Sequence, residues 1–150
     1  MATQWTAGTA SGQILTAAKL NTIGAAWEAY TPTLTQGGLG LTKTINYARY
    51  CQFQKTIIVQ IHVTLTGASI AGSISLSLPG LNPAIQFRNM GTMLIYDASA
   101  GLFYNGAGFI SSDLITAYGQ GGSNFMGTSA PTVTLAVNDQ ISCSVMYETA

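Results

Sequence analysis

The chain has 150 residues, and its five Lys or Arg balance five Asp or Glu, leaving no formal net charge. A typical soluble domain is about a quarter charged, and a chain this poor in basic groups cannot neutralise a row of phosphates, which excludes a nucleic-acid partner. Few solvated side chains and zero net charge favour association over dispersal, so the composition predicts a subunit of an assembly.

No apolar run approaches the roughly 20 residues that cross a bilayer, so no membrane partner is expected. The first twelve residues lack the basic and apolar regions of a signal peptide, which predicts synthesis and retention in the cytoplasm, or export as part of something larger.

From Thr16 to Tyr30, the residues Leu20, Ile23, Trp27 and Tyr30 recur at helical spacing among alanines. Thr16 suits the N-cap and Pro32 the stop. This predicts a short helix within an N-terminal arm, residues 1–30. A helix with so narrow an apolar stripe is marginal alone, so it must rest on the main domain or on copies of itself.

Residues 31–150 read as one β domain. Residues 55–66 alternate strictly, with Ile57, Val59, Ile61, Val63 and Leu65 on one face and Ile58, Gln60, His62, Thr64 and Thr66 on the other. Residues 42–53 form the preceding strand of a hairpin. Further strands are predicted at 73–78, 91–96, 102–109, 113–118, 132–135 and 140–148. In the last, Ile141, Cys143, Val145 and Tyr147 oppose Ser142, Ser144, Met146 and Glu148. Short strands separated by Gly, Asn and Pro predict an antiparallel β-sandwich, jelly-roll-like in type. The second faces carry Thr, Ser and Gln with hardly any charge. A solvated monomer would guard its strand edges with Lys or Glu, so these faces suit contact with another subunit.

Catalytic, metal and cofactor sites are not expected. His62 is the only histidine, and it lies mid-strand between Gln60 and Thr64, as a hydrogen-bonded surface or interface residue would. Cys51 and Cys143 are too few and too far apart for a disulfide framework and read as free buried thiols. Asp97 and Asp113 both fall near strand ends, where a glycosidase pair would need them to face one another; turn roles account for each. The segment Gly119-Gln-Gly-Gly122 has no Lys and is no phosphate loop. Loop tips with Tyr104, Asn105 and Tyr118 are the candidate sites for a sugar.

Three segments carry a resemblance: Trp27-Glu-Ala-Tyr-Thr-Pro-Thr-Leu-Thr35, Ala48-Arg-Tyr-Cys-Gln-Phe-Gln-Lys-Thr56 continuing through Ile61, and Gly72-Ser-Ile-Ser-Leu-Ser-Leu-Pro79. In that order they resemble a β-domain of structural proteins of tailed bacteriophages, namely small accessory virion proteins and tail-fibre ends. The pattern covers roughly residues 13–80, and the lead-in from Gly12 to Asn21 is similar too. Gln54 departs from it, standing where that family often has Gly, so the turn must form without glycine's freedom.

The resemblance implies a non-enzymatic, homotrimeric virion protein, assembled in the host cytoplasm and held on the particle exterior. Its partners would be copies of itself and the major capsid or tail proteins. A capsid decoration protein is the first expectation, with Leu20, Ile23, Trp27 and Tyr30 as attachment or trimer contacts. The alternative is a minor tail or tail-fibre protein that binds host-surface glycan.

Overall fold

The computed structural model describes residues 26–80, 82–84, 88–119, 125–129 and 131–150, with the backbone alone described at 88–90. These residues form ten strands: β1 (Glu28–Ala29), β2 (Leu34–Gln36), β3 (Leu39–Gly40), β4 (Lys43–Phe53), β5 (Thr56–Leu65), β6 (Ile74–Ser77), β7 (Arg88–Asp97), β8 (Leu102–Ser111), β9 (Leu114–Gly119) and β10 (Gln140–Glu148). All join one antiparallel sheet in the order β1-β4-β5-β10-β7-β8-β9-β6-β2-β3. The sheet curls into a half-barrel around a single apolar core. The all-β, antiparallel part of the expectation is therefore met, with the strands in one continuous sheet.

Period-two patterning explains the curl. Ile57, Val59, Ile61, Val63 and Leu65 of β5 are buried, as are Ile141, Cys143, Val145 and Tyr147 of β10. Met93 and Ile95 of β7, Ile110 of β8, Ile115 and Ala117 of β9, Ile74 and Leu76 of β6, and Leu34 of β2 fill the same interior. A sheet apolar on one face must bury that face, and with no second layer among the described residues it does so by wrapping. Residues 30–33 link its two flanks. The Tyr30 N–H donates to Ala48 of β4 at 3.1 Å, and the Thr33 carbonyl accepts from Ser77 of β6 at 2.9 Å.

The helix expected over residues 16–30 is overturned at its C-terminal end; residues 1–25 of that arm lie outside the described residues. Glu28 pairs with Tyr50 and Ala29 with Arg49 in β1–β4, so this short piece takes ladder hydrogen bonds from an existing edge. An isolated helix of such length has no comparable source of stability. No helix is present among the described residues.

The strand expected at 132–135 is replaced by irregular chain for a specific reason. Gln36 is fully buried, and its amide takes the hydrogen bonds that a partner strand would supply. Its Nε2 donates to Val133 O at 2.6 Å and Gly72 O at 3.2 Å. Its Oε1 accepts from the Leu135 N–H at 3.0 Å and from the Ser69 hydroxyl. One side chain, with all four amide positions used, therefore pins two loops over the core. Asp139 does the same at the β10 entrance, accepting from the Ala98 and Ala136 N–H groups at 2.9 and 2.7 Å.

The β4–β5 turn forms without glycine, as anticipated, with Gln54 at φ +55°. A non-glycine residue there costs on the order of 1 kcal/mol. The β2–β3 hairpin turns instead through Gly37 and Gly38, both at positive φ, which suits the twist of a two-residue connection.

The interior polar groups differ in what they contribute. Gln36→Leu strands three backbone partners, Val133 O, Gly72 O and the Leu135 N–H, and should lower unfolding free energy by about 3 kcal/mol or more. The buried Tyr147 hydroxyl finds no hydrogen-bond partner among the described residues, so Tyr147→Phe should leave stability unchanged or raise it. Urea denaturation of both variants checks this contrast, and a Tyr147→Phe loss as large as that of Gln36→Leu would contradict it.

Candidate functional site

The inner face of the sheet is occupied by the core, so chemistry is left to the outer face. There the register of β4, β5, β10, β7 and β8 aligns side chains into rungs that cross the strands. One rung runs Thr44, Thr64, Gln140, Tyr96 and Phe103; the next runs Tyr47, His62, Ser142, Leu94 and Asn105. A third runs Arg49, Gln60, Ser144, Thr92 and Ala107, reaching Tyr118 of β9. The fourth, Cys51, Ile58 and Met146, is wholly apolar.

A bulge between Ile45 and Tyr47 sets this alignment by turning Tyr47 outward. Tyr47, Phe103 and Met146 are exposed, at 46 %, 64 % and 56 %. Across the four rungs Arg49 is the one Lys, Arg, Asp or Glu.

The polar side chains bond to one another along the rungs. His62 Nε2 lies 3.1 Å from Gln140 Oε1 and 3.3 Å from Asn46 Nδ2, while Asn46 donates to Thr64 Oγ1 at 2.9 Å. Arg49 donates through Nε and Nη2 to Gln60 Oε1 at 3.2 and 2.9 Å. Its guanidinium sits 4.6 Å from the Trp27 ring centroid and 5.5 Å from that of Tyr47, so the charge is held against two aromatic faces. Between the second and third rungs is an open depression of about 150 Å³ lined by Tyr47, Gln60, Thr92, Leu94, Ser142 and Ser144.

The residues singled out from sequence separate on this frame. Leu20 and Ile23 lie outside the described residues. Trp27 lies half-exposed against Arg49 at the edge of the outer face. Tyr30 packs against the core, edge-on to Tyr50 with ring centroids 6.0 Å apart. Burial, then the neighbouring Cys143 and Tyr147, push its phenol well above the usual range.

Tyr104, Asn105 and Tyr118 sit on strands rather than loop tips. Tyr104 packs against the core, so strand parity sends Asn105 to the opposite, outer face. Tyr118 joins Phe109 and Phe125 in an aromatic group with centroids 5.4 to 6.2 Å apart. The three residues thus do not form one sugar site.

Asp97 and Asp113 fall at opposite ends of the ten-residue β8, about 30 Å apart at the usual rise. Asp97 instead caps its turn. Its Oδ1 accepts from the Ser99 hydroxyl at 2.7 Å and from the Ser99 and Ala100 N–H groups at 3.0 Å each, which holds its carboxyl below the usual carboxylate range. Among the described residues no three His, Cys, Asp or Glu side chains gather as a metal site.

The apolar fourth rung and the Arg49–Trp27 stack escaped sequence reasoning, because both depend on which residues the register places side by side. Their signal was present in Ile58 and Met146, the two apolar residues on otherwise polar faces. No protein-family model, curated protein or solved structure matches this chain.

Both cysteines are free and buried, and they face opposite sides of the sheet: Cys143 inward and Cys51 outward, beside Ile58. Burial pushes the Cys143 thiol up to about 12 and raises that of Cys51 against the pull of Arg49. At pH 8 a colorimetric thiol reagent should therefore react with the native protein over hours, and with two thiols at once in denaturant. Rapid stoichiometric labelling of the native protein would contradict this.

Proposed function

We propose that this chain is a non-enzymatic bacteriophage virion protein, a homotrimeric capsid decoration subunit on the exterior of the particle. The observation that carries the reading is the outer face, where four rungs of hydroxyl, amide and apolar side chains hold a single formal charge. Water solvates such a face less well than a charged one, so contact with other subunits is its better use. The motifs from Trp27 to Pro79 supply the virion context through their resemblance to phage accessory proteins. In this reading the sheet closes as a jelly-roll-like unit within the trimer. Leu20, Ile23 and Trp27 anchor the N-terminal segment to the particle, and the major capsid protein or tail proteins are the partners.

The minor tail or tail-fibre reading, with a host glycan as ligand, draws support from one feature. Tyr118 lies beside the exposed Phe125 on the outer side of the sheet, an aromatic surface on which a sugar ring can stack.

Light scattering of the purified protein at micromolar concentration should give a mass of three chains, and a stable monomer would overturn the trimer. Antibody labelling in electron micrographs should decorate heads; labelled tails together with glycan-array binding lost in Tyr118→Ala would favour the second reading. Because β1 begins at Glu28, a chain lacking residues 1–25 should fold yet fail to join the particle. Incorporation at the wild-type level would contradict the anchor.

A further inference from the structure

The assembly reading leaves open which surface the copies share. We infer that a second copy of this chain docks on the outer face of β4, β5, β10 and β7, centred on the rungs of Ser144 and Met146; this rests on the self-assembly reading above. Three observations point to a copy of the same chain rather than a different partner.

The first is complementarity. Thr, Ser, Gln and Asn each donate and accept hydrogen bonds, so one part of such a face can satisfy another part on a neighbouring copy, as the head-to-tail contacts of a trimer require. Arg49 does not spoil this, because its guanidinium is already engaged by Gln60, Trp27 and Tyr47. A partner recognised through charge would find one charged group in the four rungs, Arg49, and that group is already engaged.

The second is the placement of exposed apolar groups. Trp27, Tyr47 and Met146 all present large exposed surface on this one side of the sheet. Ile58 continues the patch between Cys51 and Met146. The polar rung of Arg49, Gln60 and Ser144 borders this apolar one on one side, and Phe53, Thr56 and the charged Glu148 border it on the other, so polar and charged groups rim an apolar centre.

The third is size. At ordinary strand spacing and rise, the face spans roughly 19 Å by 27 Å. That is a projected area on the order of 500 Å² per protomer, toward the low end against the ~800 Å² per partner of stable interfaces.

The test uses the full-length protein with Met146→Glu and, separately, Ser144→Lys. Both positions are exposed, so neither variant should disturb folding, which circular dichroism and the melting temperature verify. Sedimentation equilibrium should show the wild type assembled and each variant's dissociation constant raised at least about 100-fold, because an unpaired charge would be buried in the contact. A folded variant that assembles as the wild type does would overturn this face while leaving self-assembly standing. A wild type that is monomeric throughout would overturn self-assembly itself and this inference with it. Glycan binding by the wild type that both variants lose, without any change in assembly, would assign the face to a sugar and overturn the inference as well.

Discussion

A single sheet has two faces and its described residues share one core, so these strands can bury only one face of each strand among themselves. The inner face takes that place because Ile, Val and Leu recur there at period two through β5 and β10. The consequence for function lies on the other side. Whatever occupies the outer face cannot be supplied by these strands, and its composition must suit either water or another molecule. Ten formal charges in 150 residues leave little with which to hold water there.

The curl needs its open flank and its loops held in place, and two buried polar side chains do this. Gln36 clamps the chain around Ser69–Gly72 and Val133–Leu135, and Asp139 clamps the turns at Ala98 and Ala136. In a low-dielectric interior such satisfied groups specify one arrangement of irregular chain. They let loops cap the core where a second sheet would cap a sandwich. The register then leaves a continuous outer surface, and among the described residues no three His, Cys, Asp or Glu side chains gather on it.

The sequence made long strands legible and short ones opaque. Residues 56–65 and 140–148 declare themselves through alternation alone. β1 and β3 have two residues each and β2 has three, too few for a period to emerge, and they form because neighbouring edges offer hydrogen bonds. Trp27 and Tyr30 fit a helical stripe equally well, and pairing with β4 decided against it.

The candidate site was legible only as a tendency. Charge-poor second faces were visible in Ser142, Ser144, Gln60 and Thr64. Register was not, so the contiguity of Cys51, Ile58 and Met146 could not be read. Parity also separated Tyr104 from Asn105, two neighbours in sequence that face opposite sides of one strand.

The central claim is that the outer face is closed by protein in the assembled state. Hydroxyl-radical footprinting of the assembled protein, read residue by residue by mass spectrometry, addresses it directly. Met146 and Tyr47 are exposed in the isolated protomer and chemically reactive, so contact between subunits should protect them, while the exposed Leu39 of β3 and Val137 in a turn remain labelled. Oxidation of Met146 and Tyr47 at the rate expected from their exposure in a lone protomer would contradict the account.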